Sequence, residues 1–223
     1  MYKDVQIIAN YRRLKNIRRC NNFPTITTED VAEHTFYVSV IALTLAEEYN
    51  RYVNEHNKQY HPLDVENLME EVNVETVMKR ALFHDMEECF TSDIPYNVKH
   101  YNKDLNNEFR YCVQDMLDRI YRGINSPDIY SHLYYIEQCK QDKEGEFVAL
   151  ADLIEGAWYC FEEMEMGNQS IRGLFFNYMD EINNLECTKL LKLTCPTLEA
   201  TLRLFSGKLS SVPFPRPETE LIV

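Results

Sequence analysis

Apolar residues recur at helical spacing along most of this chain, and few residues interrupt the pattern. Only six glycines and eight prolines occur in 223 residues, so long stretches lack the residues that most often end a helix. Residues 146–166 follow the spacing of one helix face, with apolar side chains at Val148, Ala151, Ile154, Ala157 and Trp158. Strand-like alternation is scarce. The sequence therefore predicts an all-α helical bundle with a substantial core.

Turn and capping residues divide the chain into predicted helices. Thr27 or Thr28 is a suitable N-cap for a helix that ends near Glu48, and residues 50–61 have the polarity of a loop. Another helix starts at Asn73 or Thr76. The remaining predicted helices span residues 3–20, 62–72, 105–121, 146–166, 170–185 and 196–206.

The length favours one domain, residues 1–212, rather than two. It is followed by a tail, residues 213–223, in which Pro213, Pro215 and Pro217 favour an extended chain.

Charge and cysteine content narrow the possible partners and the compartment. A formal net charge of -13 argues against binding to nucleic acid or an anionic membrane, although a local basic pocket can still hold a small phosphorylated substrate. No secretory signal is evident, and no apolar run approaches the roughly 18 residues of a membrane span. The seven cysteines include no CxxC pair, which favours reduced thiols. We therefore expect a cytoplasmic protein.

Four separated residues suggest metal chemistry: His34, the adjacent pair His84-Asp85, and Asp152. Two imidazoles and two carboxylates can hold one divalent transition metal and leave positions open. Consecutive residues point about 100° apart on an ideal helix, so His84 and Asp85 share a metal only if the helix ends or distorts there. A His-Asp pair by itself is more often an ordinary helix terminus. Asp152, however, lies in the apolar run Ala149–Ile154, where a buried acid requires a partner.

The order of these residues resembles that of the HD-domain phosphohydrolases, and more closely that of the YfbR-type 5′-deoxynucleotidases. The run from His84 to Pro95 is similar to that subfamily's HD-x-x-E-x-x-x-x-D-[LI]-P, and Val98-Lys99 also matches. Upstream, residues 13–19 resemble its Arg-Leu-Lys segment, with Arg19 located 15 residues before His34. The resemblance covers roughly residues 5–160.

The resemblance implies a function and a role for each matching residue. It implies an HD-type helical bundle that hydrolyses deoxyribonucleoside 5′-monophosphates to deoxynucleosides and phosphate. The implied metal ligands are His34, His84, Asp85 and Asp152; the implied catalytic residues are Glu88, which orients or deprotonates the attacking water, and Asp85; and the implied substrate contacts are Arg19 to phosphate and Asp93 to the sugar. Cys20 stands where the subfamily has Trp. The ligand types suit Mn, Co, Fe, Ni or Zn better than Mg, and a homodimer is expected.

Other interpretations of these residues remain open. Arg19 could exchange roles with Arg18, Glu88 could lie on a solvated helix face, and Asp93 could only brace a turn. The same site could instead act as a deoxynucleoside triphosphohydrolase, or bind nucleotide as a non-catalytic scaffold, which Cys20 favours. An HD-type diiron oxygenase is disfavoured because the chain lacks the HDD triplet.

Overall fold

The computed structural model describes residues 2–94 and 102–211, and within these ranges the chain forms α-helices and short 3₁₀ segments without any named strand. The helices are α1 (Tyr2–Tyr11), α2 (Val31–Asn57), α3 (Val74–Phe83), α4 (Glu88–Thr91), α5 (Lys103–Tyr121), α6 (Pro127–Glu137), α7 (Asp142–Glu165), α8 (Arg172–Asn184), α9 (Glu186–Thr194) and α10 (Pro196–Ser211). The predicted all-α class is confirmed. The predicted tail, Pro95 and Val98-Lys99 lie outside the described residues.

Two long helices, α2 and α7, form the centre of the bundle. Helix α2 packs on α3 and α7, and α7 packs on α8. The main core includes buried apolar residues of both central helices, among them Val38, Ala42, Leu45, Val148 and Ile154. Because both helices bury one continuous stripe, polar side chains within that stripe must find partners inside the protein.

The N-terminal helix is shorter than predicted. Helix α1 ends at Tyr11, and a 3₁₀ segment continues from Arg12 to Asn16. Val5, Ile8, Tyr11, Leu14 and Ile17 recur every three residues in the sequence, which predicts one apolar face. Val5 and Ile8 are nevertheless 64% and 47% exposed, whereas Ile7 is buried. A spacing of three residues drifts around an α-helix of 3.6 residues per turn, so it does not mark a single face.

Helix α2 differs from the prediction at both ends. Its N-cap is Asp30, not Thr27 or Thr28, and Asp30 forms a reciprocal capping box with Glu33. The helix continues past Glu48 to Asn57 because buried Val53 extends its apolar stripe beneath a polar outer face. The predicted loop at residues 50–61 is therefore mostly helical.

The structure corrects three further predicted segments. Residues 62–72 contain only a 3₁₀ turn at Val65–Asn67 rather than a helix. Helices α6 and α9 were not predicted, although Ser126 caps α6 with Pro127 at its first turn, a recognisable start signal. Asn73, by contrast, is confirmed as the N-cap of α3, where its side chain accepts a hydrogen bond from the Thr76 amide at 2.9 Å.

Glu163, a fully buried residue of α7, fastens the loop before α2 to the core. Its carboxylate accepts hydrogen bonds from the amides of Ile26 at 2.8 Å and Thr27 at 2.7 Å, and from the Asn168 side chain at 2.7 Å. Burial acts to raise the pKa of Glu163, but these hydrogen bonds outweigh it and hold the pKa at about 2. The loop that precedes α2 is thereby fixed against α7.

No helix within residues 2–94 and 102–211 combines the length and the apolar character that crossing a membrane requires.

We predict that Glu163→Gln lowers the free energy of unfolding by about 2–4 kcal/mol at pH 7, because one carboxylate oxygen that accepts backbone bonds becomes a donor. The folded-state pKa is depressed, so the stabilisation is complete above about pH 4.5 and declines as the pH falls towards 2. Urea denaturation across this pH range measures it. Glu162→Gln, at an exposed neighbour, is the control; an equal loss in both variants would contradict the assignment.

Candidate active site

The chain leaves its helical path at the His84-Asp85 pair. Helix α3 ends at Phe83, and residues 84–87 form a tight turn before α4. Within it the Met86 amide bonds to the Phe83 oxygen at 3.2 Å and the Glu88 amide to the Asp85 oxygen at 3.1 Å. These contacts span three residues rather than four. The expectation that the helix ends or distorts here is confirmed, and the turn brings both side chains to one point.

His34 on α2 and Asp152 on α7 reach the same point from the two central helices. His34 Nε2 lies 3.1 Å from Asp152 Oδ1, 3.4 Å from Asp85 Oδ2 and 3.2 Å from His84 Nε2. His84 Nε2 lies 3.3 Å from Asp85 Oδ2. The four predicted ligands therefore converge, and both histidines are buried.

The partners of the two imidazoles orient their Nε2 atoms towards this point. His84 Nδ1 donates to the Ala81 carbonyl oxygen at 2.7 Å, and His34 Nδ1 contacts the Glu155 carboxylate. When the rings are neutral, as metal binding requires, these contacts select the tautomers in which each Nε2 is an acceptor facing other acceptors. Metal–ligand bonds of about 2.0–2.2 Å place neighbouring ligands roughly 3.0–3.5 Å apart. The donor set therefore fits a divalent transition metal.

The charges around the ligands indicate a site that attracts cations. Burial and Arg19 act to lower the pKa of His34, but Glu155, Asp152 and Asp85 outweigh them and raise it well above its ordinary value. Burial acts to raise the pKa of Asp152, yet Lys140 and the two histidines hold it well below its ordinary value. Asp152 is therefore ionised, as a metal ligand must be.

Arg19 is positioned by backbone pairing with the start of α2. The Arg19 amide bonds to the Glu29 oxygen at 2.9 Å, and the Val31 amide bonds to the Ile17 oxygen at 3.0 Å. The guanidinium lies 3.7 Å from Asp85 and 3.4 Å from Glu29, and it lines the cavity above the ligands. Arg18 points elsewhere and donates to Thr25 at 2.5 Å. This geometry favours Arg19 over Arg18 as the cation of the site.

A second cation of the cavity, Lys140, was not recognised in the sequence. It lies in the turn before α7, and its ammonium contacts Asp152 Oδ2, the oxygen of that carboxylate opposite to the one facing the histidines. Burial acts to lower the pKa of Lys140, but Asp152 and Asp85 outweigh it and raise the pKa. Gly145 permits this approach, because a Cβ there would lie 2.4 Å from the Lys140 carbonyl carbon.

Glu29 and Glu155 link Arg19 to His34. Glu29 contacts the Arg19 guanidinium and Glu155 contacts His34 Nδ1, and the two glutamates interact with each other. Burial, followed by the charge of Glu155, raises the pKa of Glu29 to about 8, so Glu29 is protonated at neutral pH beside an ionised Glu155. A carboxylate that holds the second nitrogen of a ligating histidine sets its tautomer and orientation.

The cavity above the four ligands has a volume of about 270 Å³. Arg19, Asp85, Asp152 and Lys140 lie at its charged part. This volume lies just below the usual range for ligand pockets, about 300–1,000 Å³, and matches one small molecule rather than a polymer.

Tyr178 of α8 lines the cavity beside Asp152. Its ring packs against Gly156, one helical turn after Asp152 on α7, and a Cβ at Gly156 would lie 2.5 Å from the ring. Burial raises the pKa of Tyr178 well above its ordinary value, so its hydroxyl remains neutral. A glycine inside a helix costs about 1 kcal/mol relative to alanine, and here it makes room for the ring.

The other predicted site residues occupy different positions. Asp93 and Cys20 line the cavity; Cys20 has a positive φ of 50°, and burial raises its pKa to about 12, so the thiol stays neutral. Glu88 is buried at the start of α4, 4% exposed, which is inconsistent with a solvated helix face. Like His34 and His84, it does not line the cavity. Its role stays a prediction.

One sequence signal indicates that neighbouring groups approach α7 closely near Asp152. Gly145, Ala149, Asp152 and Gly156 lie at positions i, i+4, i+7 and i+11 of α7, so three small residues share the helix face of the acid. Such a face leaves room for neighbouring groups to approach. Nothing in the sequence, however, identifies Lys140 and Tyr178 as the groups that do.

The fold and the convergence of two histidines and two aspartates define a helical HD-type protein with a candidate site for a divalent metal. The family model described as 5′-deoxynucleotidase YfbR-like matches residues 6–195, and the chain belongs to that family. The 5′-deoxynucleotidase YfbR of Escherichia coli is 29% identical over 173 residues, which cover 74% of this chain and 76% of that protein.

Two solved structures share the fold at low sequence identity. An HD-domain phosphohydrolase from Listeria innocua has a TM-score of 0.65 at 22% identity and covers 92% of this chain and 97% of its own. The HD phosphohydrolase of cyanophage S-2L, bound to dA and one catalytic Zn²⁺, has a TM-score of 0.56 at 13% identity and covers 92% and 96%.

We predict that Gly156→Ala lowers the free energy of unfolding by about 1–3 kcal/mol, because the added methyl group collides with the Tyr178 ring. Thermal denaturation checks it. Gly173→Ala is the matched control, since a Cβ there meets no atom within 4 Å. In a Tyr178→Ala background the cost of Gly156→Ala should largely disappear; an unchanged cost would show that the ring is not its cause.

Proposed function

We propose that this chain is a divalent-metal-dependent phosphomonoesterase that converts deoxyribonucleoside 5′-monophosphates to deoxynucleosides and phosphate. The observation that carries the proposal is one small cavity lined by two cations, Arg19 and Lys140, and by Asp85 and Asp152, the two aspartates that converge with His34 and His84. Membership of the YfbR-like family supports the same reaction.

His34, His84, Asp85 and Asp152 would hold the metal, which when bound acts as a Lewis acid and lowers the pKa of bound water. In the proposed reaction, water attacks phosphorus and the bond from phosphorus to the 5′ oxygen breaks. The ligand types favour Mn, Co, Fe, Ni or Zn as the divalent metal.

Arg19 and Lys140 neutralise the phosphate oxygens in this proposal. Arg19 offers a planar set of donors, while Lys140 offers a single mobile charge. Both are paired with carboxylates that belong to the site, Arg19 with Asp85 and Lys140 with Asp152. Substrate phosphate can therefore enter a preformed cationic pocket, and charge that develops on its oxygens is already compensated.

Glu88 is proposed to orient or deprotonate the attacking water, and Asp93 to contact the sugar, with Cys20 forming a smaller wall beside it. Glu88 follows the metal-binding turn directly, and Asp93 and Cys20 both line the cavity. These roles rest on the family motif and on this placement.

Two properties remain predictions: a homodimer, which the resemblance implies, and a cytoplasmic location, which the cysteine pattern favours.

Incubation of metal-stripped protein with dAMP, dTMP, AMP or dATP, each with Mn, Co or Mg, tests the reaction. We expect phosphate from dAMP and dTMP with Mn or Co and little from AMP. Triphosphate from dATP would instead identify a triphosphohydrolase, and bound metal without any product would favour a binding scaffold.

Two substitutions separate metal binding from chemistry. Asp85→Ala should abolish both metal binding and turnover, because it removes a ligand. Glu88→Gln should leave the metal bound while kcat falls by about 10²–10⁴-fold, the usual contribution of a general base. Metal analysis and steady-state kinetics measure both, and full activity in Asp85→Ala would disprove the site.

Lys140→Gln should raise KM for the monophosphate by roughly 10- to 100-fold, because one charge-assisted bond to phosphate is lost. Metal affinity should persist, since Lys140 is no ligand. Lys143→Gln is the control: this neighbouring lysine donates to the Glu70 carbonyl oxygen at 2.6 Å and does not line the cavity. Loss of metal with unchanged KM would instead assign Lys140 to orienting Asp152.

A further inference from the structure

The turn that carries Lys140, residues 138–142, lies between α7 and the end of α3 that leads into His84. On the side of α3, the Cys139 thiol donates to the His84 carbonyl oxygen at 3.9 Å. On the side of α7, the turn packs closely, because a Cβ at Gly145 would lie 2.4 Å from the Lys140 carbonyl carbon. The position of Lys140 therefore depends on how this turn is held between the two helices.

Arg80 of α3 fastens the turn at its far end. Its guanidinium donates to both oxygens of the Asp142 carboxylate, at 2.5 and 2.9 Å, and to the Gln141 carbonyl oxygen at 2.7 Å. Two parallel bonds fix the relative orientation of the pair as well as its distance. Arg80 lies four residues before His84, so one side of α3 both holds this turn and leads into the histidine.

The backbone of Asp142 needs such support. Its φ is +58°, an uncommon conformation for a residue with a side chain. Its carboxylate accepts a hydrogen bond from the Gly145 amide at 3.3 Å in addition to those from Arg80. Conformations of this kind persist where the surroundings fix them. The contacts of one side chain therefore set the path of the chain two residues after Lys140.

Stability alone does not explain a buried arginine at this position. Arg80 is 3% exposed, and the solvation that a buried guanidinium loses is rarely offset by an ion pair better than by an apolar side chain. The side chain of its partner, Asp142, is 54% exposed, which weakens the attraction further. A charged pair with fixed geometry does, however, select one arrangement of the two segments that it joins.

We propose that Arg80 and Asp142 are positioning residues that hold the Lys140 ammonium beside the phosphate site. The turn connects the pair to Lys140, whose ammonium contacts Asp152 and which lines the cavity together with Arg19. Loss of the pair displaces this cation without removing any of the four convergent side chains. The inference rests on the proposed function, in which Lys140 neutralises a phosphate oxygen.

Kinetics of Arg80→Met and Asp142→Gly test the proposal. Both variants lack the pair, and glycine adopts a positive φ without strain. We expect KM for dAMP to rise by roughly three- to tenfold, less than when the charge itself is removed, while kcat and metal affinity stay nearly constant. Lys79→Met is the matched control and should leave KM unchanged, because this neighbouring cation of α3 pairs with exposed Glu75 at 2.5 Å.

A double-substitution cycle distinguishes the positioning of Lys140 from a general disturbance of the site. In a Lys140→Gln background, Asp142→Gly should leave KM unchanged, because the charge that the turn positions is already absent. The same rise in KM in both backgrounds, or an unchanged KM in both single variants, would overturn the inference. Because the Asp142 side chain is more than half exposed, Asp142→Gly remains decisive if Arg80→Met does not fold.

Acetylation of Lys140 in the metal-loaded protein gives a readout that does not require turnover. Asp152 and Asp85 raise the pKa of Lys140. Release from Asp152 should lower that pKa towards its ordinary value, so acetic anhydride should modify Lys140 several-fold faster in both variants, relative to exposed Lys189. Mass spectrometry measures both rates.

This measurement separates the inference from the proposed function. If no deoxynucleotide releases phosphate, the proposed function fails, and the acetylation rate still decides whether the pair positions Lys140. An unchanged rate in Arg80→Met and Asp142→Gly would overturn the inference. A faster rate in these variants, but not in Lys79→Met, would support it.

Discussion

The convergence of two imidazole nitrogens and two carboxylates on one buried point is the constraint on which the rest of the site depends. His34 Nε2 lies within 3.4 Å of Asp152, His84 and Asp85, so four acceptors share a space that requires positive charge. Arg19 and Lys140 border this point, each paired with a ligand carboxylate. Under the proposed function a divalent metal would meet this demand for positive charge, and together with Arg19 and Lys140 it would then favour a phosphate in the cavity.

The convergence of these side chains requires neighbouring groups to approach α7 closely. Gly145 lets the turn with Lys140 pack on the helix, and Gly156 admits the Tyr178 ring. Glu163, further along, secures the loop before α2. Helix α7 therefore provides Asp152, the glycines that make room beside it, and Glu163, which fixes the segment that follows Arg19. These requirements explain why polar residues and glycines interrupt the apolar faces of this helix.

Periodicity predicted the long helices well, since α5 and α7 match within about four residues. It did less well where packing overrides local pattern. The spacing of three in α1 indicated the wrong face, and the polar outer side of α2 concealed the helix that buried Val53 continues. Such boundaries depend on which side chains a neighbouring helix covers, and this is not encoded within a single segment.

The sequence by itself determined the helical class and singled out the four residues that converge, because motif order and an acid in an apolar run can be read from the sequence alone. Only the tertiary structure decided that Lys140 is the second cation, that Glu29 and Glu155 connect Arg19 to His34, and that α8 contributes Tyr178 and Glu181 to the cavity. These residues carry no distinctive motif, and their positions arise from which helices pack together around the convergent histidines and aspartates.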